Sequence, residues 1–114
     1  MAPTTLVGQK TTTSPFGRDP STQGYPVKVS ELLSTVQGAS YVARFSLHNP
    51  ANVAKAKQGI KKAFYNQLEG KGFSLVELLS TCSTNWGMTP AKSLKWLEEN
   101  MIPEYPLGVY KGGE

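Results

Sequence analysis

Apolar and polar positions along the chain predict five regular elements in the order helix, strand, helix, strand, helix. The first helix is expected to begin at Ser30, whose hydroxyl can accept a hydrogen bond from a free backbone N–H. Leu32, Leu33 and Val36 form its apolar stripe. Gly38 is expected to end this helix, because glycine readily adopts the positive φ of a helix C-terminal cap.

Two stretches have the pattern of β-strands. Residues 41–47 place Tyr41, Phe45 and Leu47 at alternate positions, which is typical of a strand. Residues 73–79 are nearly all apolar apart from Glu77, so both faces of this second strand are expected to be covered.

Each of the other two predicted helices opens with a capping residue followed by proline, at Asn49-Pro50 and at Thr89-Pro90. Proline at the first helical position loses no hydrogen bond. The apolar stripe predicted for the longer helix, which Gly70 should end, comprises Val53, Ile60, Phe64 and Leu68. The stripe of the last helix comprises Leu94, Leu97 and Met101. Residues 102–114 are expected to lie extended on a surface.

The two strands and the helix between them form one βαβ unit, which is expected to be parallel and right-handed. Two strands with three helices leave the edges and much of the faces of a parallel sheet open. The predicted fold class is therefore α/β, with a partial parallel sheet made of one βαβ unit plus flanking helices. Such a unit is expected to be part of a larger sheet.

Residues 1–26 differ from the rest, because they are rich in Pro, Thr and Gly and have little to bury. Turn-forming residues at this density interrupt regular elements, so we predict an extended segment over 1–26 and an α/β portion over 27–114. Two interpretations of the first segment stay open: a flexible leader, or an ordered loop that lies across a partner.

Composition narrows the class of protein. The 114 residues suffice for one small domain. The net charge of +4 includes a basic face on the longest helix, but no arginine or aromatic pattern accompanies it, so we expect a solvated face and no nucleic-acid partner. The basic residues of that face are Lys55, Lys57, Lys61 and Lys62. The single cysteine and the lack of an apolar run of membrane-spanning length indicate a cytoplasmic protein with no membrane partner.

Cys82, which follows the second strand, is the main candidate for chemistry. Its thiol could be a nucleophile paired with His48, a metal or cluster ligand, or inert half-buried filling. His48 follows the first strand, so the two side chains would emerge at the same edge of a parallel sheet. No second cysteine exists, so a metal site would need ligands from another segment.

Two other polar residues have mainly structural interpretations. His48 adjoins a helix cap, where a local hydrogen-bonding role is the alternative to catalysis. Glu77 lies on an apolar strand, and an ionised carboxylate there must be paired or solvated. Arg44 on the neighbouring strand has the matching charge, so we expect an ion pair rather than a catalytic acid.

The run from Phe73 to Trp86, with the preceding glycine, resembles the beta, thiamine-diphosphate-binding subunit of the 2-oxoacid:ferredoxin oxidoreductases, which include the 2-oxoglutarate and 2-ketoisovalerate enzymes. The family pattern is Gly-Phe-Ser-x-Val-Glu-x-Leu-Ser-Pro-Cys-Pro-Thr-Asn-Trp, and this chain has Thr81 and Ser83 in place of the two prolines. The resemblance continues through Gly24-Tyr25-Pro26, Tyr41-Val42-Ala43-Arg44, His48-Asn49-Pro50 and Tyr105-Pro106-Leu107-Gly108. It therefore covers essentially the whole chain.

The resemblance implies the C-terminal portion of a thiamine-diphosphate-binding fold. Cys82 matches the last cysteine ligand of a 4Fe–4S cluster, and Thr4 and Thr5 match residues near thiamine diphosphate. The Gly-Asp-Gly motif that holds Mg²⁺ and the diphosphate is absent here, as is the family's Cys-x-x-Cys segment. We therefore expect no cofactor to bind to this chain alone.

The implied activity is that of the intact enzyme: oxidative decarboxylation of a 2-oxoacid with coenzyme A to an acyl-CoA and carbon dioxide, with reduction of ferredoxin. The implied partners are the remaining part of the beta subunit, the alpha, gamma and delta-type subunits, and ferredoxin. The alternative function is a stand-alone binding or regulatory module that keeps the fold without catalysis and docks an acidic partner through its basic helix.

Overall fold

The structure is a computed structural model, and it describes residues 1–112. Its strands are β1 (Ala39–Ser46), β2 (Phe73–Leu79) and β3 (Gly108–Lys111). Its helices are α1 (Pro20–Gln23), α2 (Val29–Leu33), α3 (Pro50–Leu68), α4 (Ser83–Trp86), α5 (Pro90–Trp96) and α6 (Ile102–Glu104). A π-helical turn over Leu97–Met101 joins α5 to α6. None of these helices combines the length and the apolar character that a bilayer crossing requires.

The sheet has the strand order β2-β1-β3. β1 and β2 are parallel, with Ala43 opposite Val76, and α3 connects them, so the predicted βαβ unit and the α/β fold class are confirmed. β3 pairs antiparallel with the other edge of β1, with Ala43 opposite Val109. The sequence did not predict β3, which makes the sheet mixed. Part of the predicted surface tail is this third strand, and residues 113–114 of that tail lie outside the described residues.

The first predicted helix differs from the structure at both ends. Helix α2 begins at Val29, and Lys28 at its N-cap position makes no side-chain capping bond. Ser30 is fully buried inside the helix, and its hydroxyl donates to Glu77 Oε1 at 2.6 Å instead of capping. The Ser30 hydroxyl therefore bonds to the charged carboxylate of Glu77 on β2 and not to a backbone N–H of its own helix. The helix ends at Leu33, well before Gly38.

The two cap-and-proline signals are confirmed. Asn49 Oδ1 accepts the backbone N–H of Asn52 at 2.9 Å, and α3 begins at Pro50. Thr89 Oγ1 accepts the backbone N–H of Lys92 at 3.3 Å, and α5 begins at Pro90. These ends are predictable because each cap bonds to a residue three positions away.

The predicted buried face of α3 was wrong. Phe64 is 64% exposed and Leu68 is 82% exposed, whereas Ala56, Gly59 and Asn66 are buried. The helix packs on the sheet through its small residues, which lets the two backbones approach closely. Ile60, Phe64 and Leu68 of the predicted stripe are therefore exposed, whereas Val53 is half-buried.

Substituting Gly59 with alanine tests this close packing. Alanine usually stabilises a helix interior by about 1 kcal/mol relative to glycine. Here the added methyl group would overlap the ring of Phe45, and overpacking of a core costs about 1–3 kcal/mol. We expect Gly59→Ala to lower the free energy of unfolding in urea, and to raise it in a Phe45→Ala background. If Gly59→Ala stabilised the chain both with and without the Phe45 ring, the close packing of Gly59 on Phe45 would be contradicted.

A second packed region lies beyond the carboxyl end of β2. Its buried members are Leu79, Leu97, Met101 and Tyr105, with Trp86 and Trp96 packed against them. The predicted burial of Leu97 and Met101 is confirmed, whereas Leu94 is exposed. Within the described residues, β2 itself is only half-buried, so the expectation that both its faces are covered was wrong for this chain.

Candidate functional site

A cleft of about 440 Å³ opens at the carboxyl end of β2. Thr4, Thr5 and Cys82, the three residues that the resemblance singles out, all line it. Ligands of α/β proteins bind at the carboxyl ends of parallel strands. The structure therefore brings the predicted site residues together at the edge of the sheet where ligand binding is expected.

Cys82 lies between β2 and α4, and its thiol is free and exposed. Its backbone carbonyl accepts the N–H of Trp86 at 2.9 Å, which fixes the first turn of α4. Asn85 is tied to the N-terminal segment, since its carbonyl accepts the N–H of Thr12 at 3.0 Å and its side chain bonds to the Thr12 hydroxyl. The half-burial expected for an inert Cys82 is not found, because the thiol is exposed on a segment held at both ends.

His48 does not pair with this thiol. Asn49 Oδ1 accepts from Asn52, so the Asn49 amide nitrogen faces His48 Nε2 at 3.1 Å and donates to it. The remaining ring nitrogen, Nδ1, then donates to Ser46 Oγ at 2.6 Å. Within residues 1–112, no hydrogen bond joins His48 to Cys82, so the local role of the histidine is confirmed and a Cys–His nucleophile is not assembled.

Thr4 and Thr5 reach the cleft because a buried arginine holds their loop. Arg18 has no carboxylate partner among the described residues; its guanidinium donates to main-chain carbonyls instead. These bonds include Thr5 at 2.9 Å and Gly24 at 3.0 Å. The other acceptors are the carbonyls of Ala2, Pro3, Gln23 and Tyr25. Sequence reasoning missed Arg18, since main-chain acceptors leave no trace in the pattern of residue types.

The cleft offers the Cys82 thiol as a metal ligand, but the described residues do not form a complete metal site. Among residues 1–112, no three His, Cys, Asp or Glu side chains are gathered closely enough to hold a metal ion. A 4Fe–4S cluster is held by four cysteine thiolates. Cys82 can therefore serve such a cluster only together with ligands from other polypeptide.

Curated proteins similar to this chain match it along most of its length. The ketoisovalerate oxidoreductase subunit VorA of Methanothermobacter marburgensis is 43% identical over 111 residues, which is 97% of this chain and 23% of VorA. The 2-oxoglutarate synthase subunit KorB of Archaeoglobus fulgidus is 39% identical over 100 residues, 88% of this chain and 33% of KorB. The pyruvate synthase subunit PorB of Methanothermobacter thermautotrophicus is 31% identical over 91 residues, 80% of this chain and 29% of PorB.

The chain is a homologue of part of these 2-oxoacid oxidoreductase subunits. The resemblance drawn from the sequence motifs is thus confirmed. The chain spans only 23% of the length of VorA, so the relatives contain much polypeptide that it does not match. No family model and no solved structure matches the chain.

Behind the cleft, this oxidoreductase homologue buries an arginine cluster centred on Arg44. Arg44 Nε donates to Glu77 Oε1 at 3.0 Å, which confirms the predicted ion pair. Sequence reasoning missed three further acceptors of Arg44. They are Glu31 Oε2 on α2 at 3.0 Å, the Tyr110 hydroxyl on β3 at 2.8 Å and the Pro106 carbonyl at 3.2 Å. Glu77 also lines the cleft, so the cluster fixes one wall of the candidate site.

Burial and neighbouring charges shift the pKa values of several groups in and near this cluster. Burial raises the pKa of Glu31, but the hydrogen bonds and charge of Arg44 outweigh it and leave that pKa below its usual value. Burial, followed by the charge of Glu77, raises the pKa of Tyr105 to about 12. Burial likewise raises the pKa values of Tyr41 and Tyr110. These shifts favour an ionised Glu31 carboxylate and neutral phenol groups on Tyr105 and Tyr110.

The raised pKa of Tyr105 predicts that the chain becomes less stable at alkaline pH. An unfolded tyrosine ionises near pH 10 and folded Tyr105 near pH 12, so the unfolded chain loses this proton first. The free energy of unfolding should fall as pH rises from about 10 to about 12. Tyr105→Phe should flatten that fall in urea titrations, at the cost of the hydroxyl's 3.0 Å bond to the Val27 carbonyl. An unchanged slope in the variant would contradict this assignment.

Proposed function

We propose that this chain is the C-terminal part of the beta subunit of a 2-oxoacid:ferredoxin oxidoreductase. The intact enzyme oxidatively decarboxylates a 2-oxoacid with coenzyme A, forming an acyl-CoA and carbon dioxide and reducing ferredoxin. This chain contributes Cys82 as one ligand of a 4Fe–4S cluster and is inactive alone. The observation that carries the proposal is the shared cleft, which Cys82, Thr4 and Thr5 line together at the carboxyl end of β2.

The surroundings of Cys82 suit a cluster ligand. A ligand must be accessible to a large inorganic group and must be held in place by its own backbone. The Cys82 thiol is exposed, while β2 on one side and the bonded first turn of α4 on the other restrain its loop. Thr81 and Ser83, which stand where the family has prolines, leave the thiol itself unchanged.

The chemistry of the N-terminal loop suits contact with a polar cofactor. Thr4 and Thr5, which both carry a hydroxyl group, line the cleft, and Arg18 fixes the carbonyl of Thr5. When bound, thiamine diphosphate would supply an electron sink for decarboxylation, and a 4Fe–4S cluster would supply single-electron transfer. The part of this chain is to orient the cofactor edge and to supply one thiolate. Mg²⁺ and the diphosphate would be held by the rest of the subunit.

An assembly experiment tests the proposal. The chain is mixed with VorA of Methanothermobacter marburgensis from which the matched 111 residues have been removed, and iron is supplied under reducing, anaerobic conditions. The isolated parts should lack the cluster, and the purified complex should contain about four iron atoms. A complex without iron, or a stable monomer that never joins the truncated VorA, would contradict the proposal. The second result would favour a stand-alone module.

A further inference from the structure

Trp86 follows Cys82 by four residues and is held close to it. The Trp86 backbone N–H donates to the Cys82 carbonyl at 2.9 Å, and both residues line the cleft at the carboxyl end of β2. Trp86 also packs against the buried region that contains Leu79 and Met101. Its position near the thiol is therefore fixed both by the turn of α4 and by the packed region beside it.

Trp86 also lines a second cleft, of about 410 Å³. Among the described residues, Gln9 and Trp86 are the two that line both clefts, so they form the wall between them. Lys10 and Asn100, which line the second cleft, are exposed, so this cleft is open to solvent. The wall therefore separates a solvent-accessible space from the cleft that contains Cys82.

Both residues of the wall are held in place by neighbouring groups. The ring of Trp96 packs on that of Trp86, with 5.0 Å between the ring centres and 53° between the ring planes. Gln9 is buried, and its Oε1 accepts the backbone N–H of Leu6 at 2.8 Å. Its carbonyl accepts the Ser14 hydroxyl at 3.1 Å. Trp86 contributes the large apolar surface of this wall, because the polar end of Gln9 is already bonded within its own loop.

We propose that Trp86 keeps the water of the second cleft away from the 4Fe–4S cluster at Cys82 and thereby lowers the reduction potential of that cluster. This inference rests on the proposed function and adds a residue that tunes its electron transfer. Each electron taken up adds a negative charge to a cluster held by four thiolates. Water stabilises the added charge and an apolar side chain does not, so excluding water favours the oxidised cluster.

A redox titration of the assembled, iron-loaded complex tests this role. The complex contains the chain and VorA lacking its matched region, and the cluster concerned is the one whose electron paramagnetic resonance signal Cys82→Ser abolishes. Trp86→Ala should favour the reduced cluster by at least about 10-fold, a rise of about 59 mV for one electron. Trp86→Leu keeps an apolar side chain and disturbs the packing less, so it should favour the reduced cluster by at least about 3-fold.

Trp96→Ala is the matched control. Trp96 belongs to the same aromatic pair, but it lines the second cleft and not the cleft of Cys82. Both alanine variants should lower the free energy of unfolding in urea, because each removes a large side chain from the same packed region. Only Trp86→Ala should shift the reduction potential by the amount given above, which separates exclusion of water from a general loss of packing.

The possible outcomes separate the two proposals. If iron-loaded complexes of Trp86→Ala and of the unaltered chain have the same potential, or if Trp96→Ala raises it equally, the inference is overturned while the proposed function stands. If Trp86→Ala does not assemble, an unchanged potential in Trp86→Leu overturns the inference in the same way. If the unaltered chain forms no iron-containing complex, the proposed function fails, and the inference fails with it.

Discussion

Replacing Arg44 with methionine is expected to lower the free energy of unfolding by about 3–5 kcal/mol, because it removes one partner of a buried ion pair and leaves the other without compensation. Arg44 is fully buried and joins three elements through Glu77 on β2, Glu31 on α2 and Tyr110 on β3. Its guanidinium also lies 4.9 Å from the centre of the Tyr105 ring. Chemical denaturation of the chain measures the loss directly.

Two further variants show whether the loss arises from the buried cluster. Lys28→Met breaks the exposed pair with Glu104 and should cost less than about 1 kcal/mol. Glu77→Leu combined with Arg44→Met should cost less than the sum of the two single substitutions, because the second change removes the uncompensated charge. Additive losses, or a small effect of Arg44→Met alone, would show that the cluster does not stabilise the fold in this way.

Replacing Cys82 with serine is expected to prevent cluster formation when the chain is assembled with the rest of its subunit. The iron content should fall by about four atoms per assembled subunit, and the broad visible absorbance of the cluster should be lost. Electron transfer to ferredoxin should fall with it, since a serine hydroxyl is a poor substitute for a thiolate on iron. Because Cys82 is exposed, the substitution should leave the folding of the chain unchanged.

The neighbouring residue gives a matched control for this loss. Ser83→Ala changes the first residue of α4, next to Cys82, and leaves the thiol, so it should retain the iron and the absorbance. Circular dichroism and size-exclusion chromatography of both variants establish that the chain folds and assembles. A Cys82→Ser assembly with full iron content would mean that the cluster uses other ligands.

Features whose partners are close in sequence could be predicted. Asn49 and Thr89 bond to backbone groups three residues away, and the bounds of β2 follow from a local run that is mostly apolar. Ser30 could not be assigned in this way, because the acceptor of its hydroxyl, Glu77, lies 47 residues along the chain. A serine hydroxyl can cap its own helix or bond to a side chain on another element, and the sequence does not show which partner is nearer.

The misassigned face of α3 and the missed strand β3 have related causes. Periodicity locates a helix, but the rule that large apolar residues face the core fails where a glycine, Gly59, packs against Phe45. β3 has four residues and depends on its pairing with β1. The local pattern of apolar and polar residues says little about the packing of Gly59 on Phe45 or the pairing of β3 with β1, because both contacts join residues far apart in sequence.

The candidate site was only partly accessible from sequence. Cys82 was a candidate from its residue type and its place after β2. Its role as a cluster ligand, and Thr4 and Thr5 as site residues, came only from the family resemblance. The structure adds that they share one cleft, and that Arg18 holds the threonine loop there through main-chain carbonyls. It also removes His48 from the candidate chemistry, because both ring nitrogens of His48 are bonded locally.

Alkylation of the thiol tests most directly whether Cys82 is an iron ligand. The chain alone should react fully with iodoacetamide, because its only thiol is exposed. In the assembled, iron-loaded complex Cys82 should be protected, and removing the iron from the same intact complex should restore the reaction, as read by mass spectrometry of the Cys82 peptide. Full alkylation of Cys82 in a complex that keeps its cluster would contradict the account.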